Sequence, residues 1–224
     1  MSDPQAPVSA AETRTIWPDP GPAPLAGYLD AVAGQPVLPV ATQALVAALE
    51  QGWSDPARLQ HHGRRAGRVL DNALAAIAGF LGVPVASCFV GSSGADVLRA
   101  AVMGLYQARL SAGAPARILV GATESMAVTF ATRACAGVET VTIPVDAFGR
   151  IDTEALSAAM SDGAALVCVQ QANAEVGTVQ PVPEVHALCR HAGIPMVSEA
   201  IQVAGHRAIG EAWDVLVAVP RDWG

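Results

Sequence analysis

Among the side chains able to do covalent or proton-transfer chemistry, amines are missing. All 13 basic residues of this 224-residue chain are arginine and none is lysine. Arginine stays protonated across the working pH range, so no basic side chain here can form an imine with a carbonyl compound. A second candidate is the run Gly91-Ser92-Ser93-Gly94-Ala95-Asp96, which lacks both the lysine of GxxxxGK[ST] and the spacing of GxGxxG, so a nucleotide loop is not expected. Ordinary helix N-capping is an alternative role for these serines. His61 and His62 are adjacent and point to different sides of a helix. His186 and His191 lie five apart, about 140° out of register on a helix. Neither pair predicts a metal site. Cys88, Cys135, Cys168 and Cys189 form no CxxC pair and sit mostly in apolar runs, which points to buried, reduced thiols and a cytoplasmic location. Arg99 and Arg133 could clamp a substrate carboxylate, but exposed helical charge is the stronger reading.

The elements that would position such groups follow from composition and periodicity. With 52% hydrophobic and 15% charged residues, the chain can bury a large core and is not a disordered protein. A net charge of -7 provides no electrostatic footprint for nucleic acid, and no run of about 18 apolar residues or signal-like start predicts a membrane span or secretion. Residues 1–26 are rich in Pro and Ala and read as a flexible arm, with one folded domain over 27–224. Helical periodicity is expected over 41–50, 63–81, 95–110, 126–136, 153–160 and 183–191. Short apolar strands are expected over 87–90, 117–120, 140–144, 165–169, 194–197 and 214–219. Near-continuous apolar strands alternating with helices predict an α/β fold, a three-layer, mostly parallel sheet with helices on both faces. Ligands in such sheets sit at the carboxyl ends of the strands.

Seven ordered segments carry a family resemblance. Tyr28-Leu29-Asp30, DPARLQHHGRRA at 55–66, VGSSGAD at 90–96 and ATESMAV at 122–128 are similar to YLD, NPSSxHxxGxxA, TSGATE and xxEHxAV. IPVDAFGRID at 143–152, QANAEVGTVQPV at 171–182 and SEAIQVAG at 198–205 are similar to PVDxxGxID, ANNEIGTIQPI and VDAVQAxG. Together they resemble the cysteine desulfurase branch of the class V aminotransferases, enzymes of fold type I that depend on pyridoxal 5'-phosphate (PLP).

The resemblance implies the large domain of such an enzyme, and a reaction that removes sulfur from L-cysteine for iron–sulfur or thio-cofactor assembly. It places backbone donors for the cofactor phosphate at Ser93, Gly94 and Ala95, and a carboxylate facing the pyridine nitrogen at Glu199. It also places Gln202 at the phenolic oxygen and Asn173 among the cofactor contacts. Several positions depart from the pattern. Ser125 replaces the ring-stacking histidine and Ala174 the second asparagine, and Glu199 stands for an aspartate. Val219, Arg221 and Asp222 stand for the family's Ser, His and Lys. With Asp222 in the Schiff-base position, no catalytic residue is assigned and any PLP binding would be non-covalent. The small domain, which in desulfurases carries the sulfur-accepting cysteine, is not expected within these residues. Two readings follow: part of a desulfurase-like protein, or a non-catalytic subunit in a homodimer or in a heterodimer with an active paralogue, with a sulfur-acceptor protein as further partner. A lysine-independent PLP enzyme is a third.

Overall fold

A computed structural model describes residues 27–28, 34 and 36–219. The expected arm and Asp222 therefore lie outside the described residues, as do Leu29 and Asp30. The described residues from Gly34 to Val219 form one compact unit. Its helices are α1 (Pro39–Gln51), α2 (His61–Leu81), α3 (Gly94–Ser111), α4 (Met126–Arg133), α5 (Thr153–Met160) and α6 (Val182–Ala192). Its main strands are β1 (Arg117–Gly121), β2 (Glu139–Ile143), β3 (Leu166–Gln170), β6 (Met196–Glu199) and β7 (Val215–Val217). A small hairpin is made by β4 (Ala172–Asn173) and β5 (Thr178–Val179).

The five main strands form a parallel sheet in the order β2-β1-β3-β6-β7. Alternate side chains face opposite layers, as the pleat requires. Ile118, Val120, Leu166, Cys168, Val197 and Val217 pack with Leu98, Val102 and Tyr106 of α3 and Val128 of α4. Leu119, Val167, Val169 and Met196 pack with Leu156 of α5 and Val185 and Cys189 of α6. Both faces are thus covered, which is why β3 reads as an unbroken apolar run. Cys135, Cys168 and Cys189 are buried free thiols, and burial pushes the Cys189 thiol up to about 12, while Cys88 is only half-buried.

One expected strand is corrected. Residues 85–87 form a 3-10 turn, and Phe89 and Val90 that follow are in no strand and are exposed. An apolar run becomes a strand only with a neighbour to share its ladder, and no described strand lies beside this one. The β4–β5 hairpin went unpredicted because two-residue strands carry no periodicity.

Two of the quoted segments dock on each other. In IPVDAFGRID, Asp146 Oδ1 accepts the N–H groups of Phe148 (2.8 Å) and Arg150 (2.9 Å), and Gly149 turns at φ +75°. In QANAEVGTVQPV, Gln180 donates to the Gly149 carbonyl (2.8 Å) and accepts from Ile151 N–H (2.9 Å), and the Thr178 hydroxyl donates to the Phe148 carbonyl. The turn of one segment is therefore plugged into the hairpin of the other. Gly149→Ala forces a side chain into left-handed backbone against Val176, and a loss of about 1–2 kcal/mol is expected. Urea denaturation checks this, and an unchanged midpoint would show that the turn can relax.

Candidate cofactor site

The segments at 122–128, 171–182 and 198–205 meet at the carboxyl ends of the parallel strands. The loop after β1 carries Glu124 and Ser125, the end of β3 carries Gln170 and leads to Asn173, and β6 ends at Glu199.

Glu124 is the residue that composition and spacing did not single out. The β1–β3 ladder ends at the pair Val120 and Cys168, so the N–H of Gln170 has no strand carbonyl to meet. The Glu124 carboxylate takes it instead, at 2.8 and 2.9 Å. Enclosure under the strand ends pushes the Glu124 carboxyl up to about 8, the Gln170 hydrogen bond opposes that rise, and the charge of Glu199 adds to it. Glu199 is paired across the ladder with Gln170 and accepts from Ile201 N–H at 3.3 Å. Its carboxyl is raised too, first by burial, with the approach of the Ser125 hydroxyl and the Ile201 N–H partly offsetting it. Ser125 Oγ itself is buried and meets no partner in normal hydrogen-bond geometry, so it is a polar atom aimed at Glu199 without being fixed by it. Two acidic side chains thus flank the end of β3.

Asn173 is committed to the backbone. Its amide donates to the Thr123 carbonyl at 2.9 Å, and its Oδ1 accepts from Glu175 and Val176 N–H at 2.9 and 3.1 Å. The Gln170 side chain donates to the same Thr123 carbonyl, which locks the loop after β1 to the end of β3. Gln202 lies exposed just beyond β6.

The turn before α3 holds the most informative arrangement. Ser93 is the N-cap, and its hydroxyl oxygen accepts Asp96 N–H at 3.1 Å. The hydroxyls of Ser92 and Ser93 both donate to the Asp96 carboxylate, at 3.0 and 2.8 Å. Asp96 stands where TSGATE has its second threonine. The Ser93 and then the Ser92 hydrogen bonds hold the Asp96 carboxyl below its ordinary range. A Cβ on Gly94 would lie 2.6 Å from Val219 Cγ2 and 3.3 Å from Ile201 Cδ1, so aliphatic side chains crowd the same turn. Ala95 is exposed beside it. A turn so engaged, with a carboxylate on its hydroxyls and Val219 where the family has serine, does not fit a phosphate group. Among the described residues no group of His, Cys, Asp and Glu could hold a metal ion, and no helix is long and apolar enough to cross a membrane.

The parallel sheet covered on both faces, with polar residues gathered at the strand ends, has the fold of the large domain of fold type I proteins. The chain belongs to the aminotransferase class-V family, which it matches over residues 27–212, and the curated relatives named below are cysteine desulfurases. It is 33% identical over 184 residues to an IscS-like cysteine desulfurase of Mycobacterium tuberculosis, covering 80% of this chain and 47% of that one. It is 32% identical to a cysteine desulfurase of Cereibacter sphaeroides, covering 80% and 46%. Among solved structures, a NifS-like protein superposes with a TM-score of 0.80 at 20% identity over 87% of this chain and 55% of its own. A protein solved as SspA in complex with cysteine gives 0.77 at 19% identity, over 87% and 57%. The chain spans about half the length of the curated relatives it matches.

Proposed function

We propose that this chain serves cysteine desulfurase chemistry as a non-catalytic subunit, paired with a family member that supplies the lysine. The family reaction is PLP-dependent removal of sulfur from L-cysteine. The observation that carries the reading is the absence of lysine from all 224 residues, with Asp222 at the aligned Schiff-base position, in a chain that keeps the family's fold and a packed core. Loss of the nucleophile alone would make a dead enzyme. Loss of the nucleophile with retention of the scaffold fits a protein kept for its surface.

That surface supports the reading. None of the residues of α1 is buried, and Val40, Leu45 and Leu49 on it are exposed, as are Trp53 and Leu59 that follow. Apolar side chains exposed in this number along one segment are what an interface would cover. The partner that fits is a second family member, and the cytoplasm and a sulfur-acceptor protein are the expected setting.

Co-expression with a lysine-bearing cysteine desulfurase from the same cells tests the proposal by native mass spectrometry. A mixed complex is expected, with borohydride fixing cofactor only to the partner. Two separate homo-oligomers and no mixed species would sink it.

A further inference from the structure

At the turn that starts α3, the chain's own contacts and the family's cofactor compete for the same donors. A helix start binds an anion through its unsatisfied N–H groups, helped by the positive end of the helix dipole and by neighbouring hydroxyls. Here the two hydroxyls and the Asp96 N–H are already spent, on the Asp96 carboxylate and on Ser93 Oγ. The N–H groups of Gly94 and Ala95 remain, but Gly94 lies against Val219 and Ile201. The nearby cation, Arg99, reaches Asp96 at 3.7 Å and is therefore turned toward the internal carboxylate.

We infer that Asp96 acts as a built-in substitute for the cofactor phosphate: its carboxylate fills the anion-binding turn of α3, so the large domain is complete without PLP and turns the cofactor away. Two negative groups a few ångströms apart repel each other, and a phosphate would have to displace Asp96 from both serines before gaining any hydroxyl contact. The ring would fare no better. Ser125 offers no aromatic face to stack on, and Glu199 is longer by a methylene than the aspartate of the family pattern. The inference goes beyond the subunit reading and does not depend on it, since a non-catalytic subunit could still hold the cofactor non-covalently.

The full chain is well suited to a direct test, because with no lysine it cannot trap pyridoxal phosphate on side-chain amines. Equilibrium dialysis with pyridoxamine phosphate, pyridoxal phosphate and inorganic phosphate is compared for the wild type, Asp96→Asn and Asp96→Thr, with melting temperature as a parallel readout. Asparagine removes the charge at constant size, and threonine restores the hydroxyl of the TSGATE pattern. The expected result is no saturable binding by the wild type up to millimolar ligand, and at least a tenfold gain in affinity for pyridoxamine phosphate in either variant. The variants should also melt at higher temperature when the ligand is present, and the wild type should not. Micromolar binding by the wild type would overturn the inference, and so would folded variants that bind no better than it. If Asp96→Thr fails to fold, Asp96→Asn alone decides.

Discussion

Gly63→Ala is expected to destabilise this fold by about 3 kcal/mol, the upper end of what a single added methyl costs in a packed site. A Cβ at position 63 would lie 2.2 Å from the carbonyl oxygen of Arg58 and 2.8 Å from its carbonyl carbon, and backbone cannot swing aside as a side-chain tip can. The contact is made by the segment DPARLQHHG itself. Asp55 accepts Ala57 N–H at 2.9 Å through its side chain and Arg58 N–H at 3.1 Å through its backbone, and the resulting turn presses the Arg58 carbonyl onto the first turn of α2. The glycine shared with NPSSxHxxGxxA is thus a requirement of close approach rather than of chemistry. Urea denaturation of the wild type and Gly63→Ala, read at the midpoint, checks the value. A loss under about 0.5 kcal/mol, the scale of an ordinary surface change, would mean that the loop over 54–60 is free to move.

Glu124 is expected to dominate the pH dependence of stability. Its carboxyl is raised from 4.5 to about 8, so the folded state binds a proton that the unfolded state has released between those values. Stability contributed by this group is therefore full below the unfolded value and falls as pH rises toward about 8. The fall is on the order of 2–4 kcal/mol, allowing for the charge it shares with Glu199. Glu199 titrates in the same direction, so some slope persists without Glu124. Glu124→Gln keeps an oxygen for Gln170 N–H and removes the titration. Denaturation at pH 5, 7 and 9 should show the wild type losing stability steadily and Glu124→Gln losing clearly less. Parallel curves would place the titrating group elsewhere.

Both predictions show how function and folding are interleaved at the strand ends. Glu124 sits in the ATESMAV turn beside Ser125, yet its first duty is to cap a β3 amide that β1 is too short to reach. Asn173 likewise holds the hairpin and the loop after β1, so a cofactor contact would have to be made by an atom already engaged. These residues do structural work at the strand ends that is independent of any chemistry there.

The sequence by itself determined the α/β class, the parallel sheet, the family and the missing amine. Each of these depends on local quantities: the period of apolar residues, the order of short motifs and the count of one residue type. α5 spans Thr153–Met160, the residues its periodicity predicts, because an Asp152 cap and a clean apolar face leave no competing conformation. Only the tertiary structure decided that the apolar run at Phe89 and Val90 has no strand beside it, that Glu124 lies within reach of both Gln170 and Glu199, and that Asp96 has taken the hydroxyls of the phosphate turn. Those outcomes depend on which groups compete for one donor or one neighbour in space. Spacing along the chain does not record such competition, because strand pairing, burial and hydrogen-bond partnership are set by contacts between segments far apart in sequence.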